Sequence, residues 1–187
     1  MASGPHAEVL RAIASDGIDL AIWERDLDPA LVREISALDL DGIDDLLLAC
    51  DPGDAEVQLS ALLRDSGYTE SPLLCADIAA LATRHAALLG ERRVRIRLEV
   101  VETDACRKFH ADFVTVRTIT TYHGRGTQWQ RVDEADDQAI DEMRPGTVGL
   151  FKGRLLQPEP SVLHRSPPIA DSGQSRLVLV IDSIASS

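Results

Sequence analysis

The chain has 187 residues, of which 44% are hydrophobic and 27% charged, ordinary proportions for one globular domain with a core of its own. A formal net charge of −12 leaves no basic face for phosphate-backbone contacts, so nucleic acid is excluded as the main partner. No run approaches the ~18 apolar residues of a membrane span, and the N-terminal MASGPHAEVLRAIASDG lacks the basic start and apolar stretch of a signal peptide; the expected setting is cytoplasmic, with no membrane partner.

The first ninety residues read as mainly helical, with a short strand at 18–23. In DPALVREISALD, Asp28 is a plausible N-cap and Pro29 takes the first helical position, followed by Leu31, Ile35 and Leu38 at helical spacing. DAEVQLSALLRDSG repeats the pattern with Val57, Leu59, Leu62 and Leu63, and Gly67 stops it. SPLLCADIAALATRHAALLG is the clearest helix, with Ser71 as cap, Pro72 behind it and Gly90 at its end. His85 in that helix has no partner at ligand spacing, so packing or surface is its expected place. Cys50, Cys75 and Cys106 are odd in number and far apart, which fits neither a disulfide framework nor a zinc ribbon. The first two are expected in apolar helical stretches as inert core thiols.

After Gly90 the texture changes. RVRIRLEVV alternates Arg with apolar residues, the period of a half-buried strand with Arg on its solvent side. FVTVRTITTYH is β-branched and aromatic, and GRGT follows it as a turn. EADDQAIDE reads as an acidic loop or short helix with a solvated face. PGTVGLFKG is a short strand between Pro and Gly, and RLVLVIDS is an apolar strand near the end. The fold class is therefore α+β within a single domain over 1–187: a helical layer over 1–91 and a β core over 92–187. Neither a heptad nor an internal repeat is present.

DACRKFHADF, at 104–113, contains His110-x-Asp112, a spacing that suits a strand end or bulge where alternate side chains point the same way. Further on, SVLHRSPP supplies His164, and Arg176 opens the last strand. Two imidazoles and one carboxylate make a facial triad, which leaves three positions open on an octahedral metal. A fixed guanidinium at Arg176 suits a distal carboxylate such as that of 2-oxoglutarate; the competing role is a salt bridge to Asp112, Asp171 or Asp182. Cys106 is a candidate soft ligand that favours zinc, a nucleophile or redox thiol, or a buried structural thiol. Strict alternation turns Arg117 away from the face of Asp112 and puts Tyr122 on it, so Tyr122 is the expected hydrogen-bond or substrate contact. His123 is expected to be exposed beside the turn. Trp23 and Trp129 are candidates to line a pocket.

The order His110-x-Asp112, His164, Arg176, with PGTVGLFKG just ahead of the second His, resembles the Fe(II)/2-oxoglutarate-dependent oxygenases over 93–183. That resemblance implies a distorted double-stranded β-helix (jelly-roll or cupin-like) under the helical layer. It also implies Fe(II) on His110, Asp112 and His164, 2-oxoglutarate on Arg176, and a small-molecule substrate oxidised beside Tyr122 and Cys106. A longer likeness covers most of the chain. CRKFHADFVTVRTITTYHGRGTQW and VLHRSPP are similar to the central motifs of a bacterial family known as domain of unknown function 1826, matching at Cys106, Phe109, His110, Asp112, Trp129 and His164, among others. That family implies metal biology without a named reaction. It keeps open a Zn(II)-binding or metal-handling role with Cys106 among the ligands, and an oxoglutarate-independent metalloenzyme on the same scaffold.

Overall fold

Helices form where the caps and apolar spacing call for them, in a computed structural model that describes every residue except Thr69, Ala105, 135–139, Asp171 and 185–187. Most of the acidic stretch 134–142 therefore lies outside the described residues. Helix α1 (Pro29–Ser36) starts where Asp28 accepts the Ala30 amide at 2.7 Å. Helices α2 (Ala55–Asp65) and α3 (Pro72–Leu89) follow. At the start of α3 the carboxylate of Glu34 accepts the amides of Leu73 and Leu74 at 3.1 and 2.7 Å. An acid there satisfies orphan donors and complements the helix dipole. Gly90, at φ 70°, ends α3 in the left-handed conformation that glycine adopts freely.

Seven strands form the larger sheet: β1 (Ala2–Gly4), β2 (Leu20–Trp23), β3 (Leu46–Cys50), β4 (Val94–Val101), β5 (Val116–His123), β8 (Val148–Lys152) and β10 (Arg176–Ser183). Their order is β1-β2-β8-β5-β10-β4-β3. Only the β1–β2 pair is parallel. The smaller sheet runs β7 (Asp141–Glu142), β6 (Gln128–Arg131), β9 (Val162–Arg165).

The first half is not only a helical layer. It supplies both edges of the larger sheet, β1 and β2 on one side and β3 on the other. A short apolar run such as LLLAC fits a helix or a strand equally well by pattern, and pairing with β4 decides it. Cys50 therefore ends a strand rather than sitting in a helix, while Cys75 lies in α3 and donates to the Glu56 carbonyl at 3.3 Å. Both are buried, and burial pushes both thiols up, as inert core residues require. Helix α3 has the length and apolarity of a membrane span, with a mean hydropathy of 1.3, more than its sequence suggested at first reading. Its apolar stripe packs against the larger sheet instead.

The larger sheet divides the apolar interior in two. On the helix side, Leu59, Leu74, Ile78, Leu98, Leu177 and Leu179 belong to an extensive core. Each such side chain contributes about 1.5–3 kcal/mol by burial. Between the two sheets lies a smaller cluster that includes Ile119, Trp129, Phe151, Val178 and Val180. Beside that cluster, toward β4, the space opens into a cleft of about 410 Å³.

Candidate functional site

The backbone brings His110 and His164 together before either side chain acts. The two residues form an isolated antiparallel bridge, with His110 N donating to His164 O at 3.0 Å and His164 N to His110 O at 2.9 Å. Directly opposed residues project to the same side, and the two rings lie 4.8 Å apart between centroids. His164 is buried on β9 against the Phe151 ring, 4.6 Å away. His110 Nδ1 sits 2.8 Å from the Lys108 carbonyl. A carbonyl only accepts, so in the neutral ring Nδ1 carries the proton and the Nε2 lone pair is left free.

Asp112 completes the cluster. Its Oδ1 lies 3.6 Å from His110 Nε2 and its Oδ2 3.0 Å from His164 Nε2. One donor atom from each of the three residues falls within 4.8 Å of the others. The loop after β8 fixes the main chain here, with Arg154 N donating to Asp112 O at 2.8 Å. A Cβ on Gly153 would sit 2.2 Å from the Val114 carbonyl oxygen, so only glycine allows this approach.

Oδ2 is buried 3.0 Å from His164 Nε2, and no well-formed hydrogen bond reaches it among the described residues. A buried carboxylate whose two oxygens each face one imidazole nitrogen is a donor set for a divalent cation, and two nitrogens with one oxygen suit the facial triad. Burial opposes the charge on Asp112, but His110, His164 and Arg117 outweigh it and hold the acid well below the usual carboxylate range. Burial also pushes His164 down, which keeps that imidazole neutral and able to ligate, while Asp112 pulls His110 up.

Arg176 lies against the same cleft and is 1% exposed. Its guanidinium donates to the Arg125 carbonyl at 2.6 Å, to Ser166 Oγ at 2.8 Å, and to Thr121 and Thr127 Oγ1 at 3.3 Å each. All four acceptors are neutral. Asp112 and Asp182, two of the partners considered from sequence, pair elsewhere; Asp171 lies outside the described residues. Burial pushes this guanidinium down to about 10, and the charge of Glu142 offsets part of that.

Two expectations are corrected. Tyr122 does not share the face of Asp112: it is buried on the helix side and donates to Asp77 Oδ2 at 2.6 Å. Asp77 also takes both terminal nitrogens of Arg25, at 2.6 and 2.8 Å. Arg117 faces the cleft instead, with Nη1 2.5 Å from Asp112 Oδ1. Alternation counted from Asp112 fails because β5 begins only at Val116, and the bends at 113–115 reset which side faces which. Cys106 is exposed on the cleft wall and is absent from the donor cluster of the described residues, so a thiolate ligand is not part of this centre. Its carbonyl accepts the Ser166 amide at 2.9 Å, beside the Arg176 cradle. His123 is exposed and His85 is a buried packing residue. Trp129 is buried in the intersheet core, and Trp23 packs under Arg25 and Arg84. Sequence reasoning gave no role to Phe151, the wall behind His164, or to Thr127, a brace for Arg176, although both lie in the stretches PGTVGLFKG and HGRGTQW.

A helix-backed larger sheet, a smaller facing sheet and a His-Asp-His cluster between them define a double-stranded β-helix with a candidate metal centre. The chain belongs to the family described as protein of unknown function (DUF1826), which it matches over residues 4–182. Solved structures of similar fold include Arabidopsis thaliana dioxygenase for auxin oxidation 1 in complex with 2-oxoglutarate. That likeness has a TM-score of 0.57 at 10% identity and covers 95% of this chain and 87% of the other. A Pseudomonas putida prolyl-4-hydroxylase gives a TM-score of 0.51 at 17% identity, covering 97% and 99%. The rice dioxygenase for auxin oxidation gives 0.51 at 14%, covering 94% and 76%. No curated protein sequence matches the chain.

Proposed function

We propose that this protein is a mononuclear non-haem Fe(II) oxygenase that uses 2-oxoglutarate and oxidises a small molecule. The observation that carries this reading is the pairing, in one cleft, of the His110–Asp112–His164 donor set with a buried guanidinium that lacks an anion. Either feature alone has other uses. Together they match the two ends of a short dicarboxylate, one end chelating a metal and the other seated on Arg176.

Fe(II) bound by the three residues supplies the oxygen chemistry that converts 2-oxoglutarate to succinate and carbon dioxide and oxidises the substrate. The chain's own residues bind and orient. The Lys108 carbonyl keeps the His110 Nε2 lone pair available for a metal, and Phe151 holds the His164 ring in place. Ser166, Thr121 and Thr127 set the guanidinium plane so that a carboxylate meets a fixed fork. Ile119, Val178 and Val180 give the cleft an apolar wall that limits water around the open metal positions.

Anaerobic addition of Fe(II) and then 2-oxoglutarate tests the reading. A visible charge-transfer band that saturates with 2-oxoglutarate, and disappears in His110→Ala and Arg176→Ala, is the expected result. Tight stoichiometric zinc with no response to 2-oxoglutarate would overturn it.

A further inference from the structure

The two oxygens of Asp112 stand in different surroundings. Oδ1 is paired with Arg117 Nη1 at 2.5 Å and lies 3.6 Å from His110 Nε2, whereas Oδ2 is buried 3.0 Å from His164 Nε2 and no well-formed hydrogen bond reaches it among the described residues. Arg117 is itself fixed from behind. Its Nε and Nη2 donate to Asp182 Oδ1 and Oδ2 at 2.7 and 2.8 Å, and Asp182 lies opposite it across the β5–β10 register. Asp182 is 3% exposed and also takes Arg97 Nη2 at 3.4 Å. Swinging Arg117 away would leave the buried Asp182 carboxylate with Arg97 alone, at 3.4 Å, which is costly.

We infer that Arg117 is a positioning residue that restricts Asp112 to a single metal bond by occupying its second oxygen. This deepens the metal-site reading above and rests on it. A carboxylate with both oxygens free binds divalent cations in either the monodentate or the bidentate mode. The bidentate mode takes one of the three open positions of a facial triad. A chelating 2-oxoglutarate needs two of those positions and dioxygen needs the third, so a chelating Asp112 would block turnover at the last step. Asp182 balances the charge of Arg117, so the guanidinium holds Oδ1 without cancelling the negative charge that Oδ2 presents to a metal. Sequence alternation gave Arg117 no such role.

The test loads the full-length protein with Mn(II) alone and measures water-proton relaxation, which reports the exchangeable waters on the bound ion. Two variants carry the experiment. R117Q frees Asp112 Oδ1 and leaves Asp182 with Arg97, which already lies 3.4 Å from it. R117Q/D182N removes both charges together, and circular dichroism of the metal-free proteins checks that each variant is folded. Three waters are expected on wild type and two on the variants, a fall of about one third in relaxation enhancement per bound Mn(II). Equal enhancement in wild type and variants overturns the inference. So does a wild-type protein with only two waters, a result that needs no variant. Wild type that binds no Mn(II) at all overturns the metal-site reading along with the inference, and is distinguishable from both other results.

Discussion

The two faces of the larger sheet are made by the same strands yet serve different ends. Along β5, Val116, Thr118 and Tyr122 turn toward the helices, while Arg117 and Ile119 turn toward the cleft. Along β10, Leu177, Leu179 and Ile181 are fully buried against the helices, while Arg176, Val178 and Val180 face the cleft. The helix face has polar groups too, but they are closed: Tyr122, Asp77 and Arg25 satisfy one another, and His85 meets Thr118 and Ser183. The cleft face is left open, with a buried carboxylate oxygen and a guanidinium held by neutral acceptors. Stability comes mainly from the first face, and the second carries the groups of the proposed site.

That contrast can be broken most strongly by truncation on the helix face. Leu179→Ala is expected to cost about 2–5 kcal/mol, read by urea unfolding, with metal affinity of the folded fraction unchanged. The mirror experiment is Arg176→Met on the cleft face. Removing one partner of a buried charge pair costs about 2–5 kcal/mol of binding, so 2-oxoglutarate affinity should fall by at least ~30-fold by calorimetry. Stability should hold or rise, because a buried unpaired cation is replaced by an apolar side chain. A parallel loss of stability would mean that Arg176 is structural.

His85 sharpens the comparison through pH. Burial pushes its imidazole down to about 4, below its ordinary 6.5, although Asp182 pulls the other way. The unfolded chain therefore binds the proton first as pH falls. The contribution to stability is complete above about 6.5, declines between 6.5 and 4, and amounts to about 3 kcal/mol. Unfolding at successive pH values should show that loss in wild type relative to His85→Gln, whose amide keeps hydrogen-bonding groups without titrating in this window. The smallest effect belongs to Tyr122→Phe, which removes one hydrogen bond to Asp77. About 1 kcal/mol of stability should be lost, with metal and 2-oxoglutarate binding untouched; a large loss of binding instead would return Tyr122 to the site.

Much of this was legible from the residues. Helices α1, α2 and α3 lie where the apolar spacing puts them, with Asp28 capping α1 as expected, and β4, β5, β8 and β10 lie within the expected strand stretches. That His110, Asp112 and His164 come together was legible because each sits in a motif with a chemical reason for its spacing. Strand β3 was not, because LLLAC carries no periodicity that separates helix from strand until a neighbour pairs with it. The facing of Tyr122 and Arg117 was not legible either. It depends on the irregular backbone at 113–115, and a single extra residue there exchanges the two faces for the rest of the strand. The role of Asp182 depends on β5–β10 register, which lies in tertiary pairing rather than in local sequence.

The central claim is that the metal cluster and Arg176 form one site for one ligand. Calorimetric titration of 2-oxoglutarate into metal-free and Mn(II)-loaded protein tests that coupling directly. The expected result is one-to-one binding that tightens by an order of magnitude or more when Mn(II) is present, and a loss of that binding in Arg176→Met. Binding that is indifferent to the metal, or that survives intact without Arg176, would contradict the account.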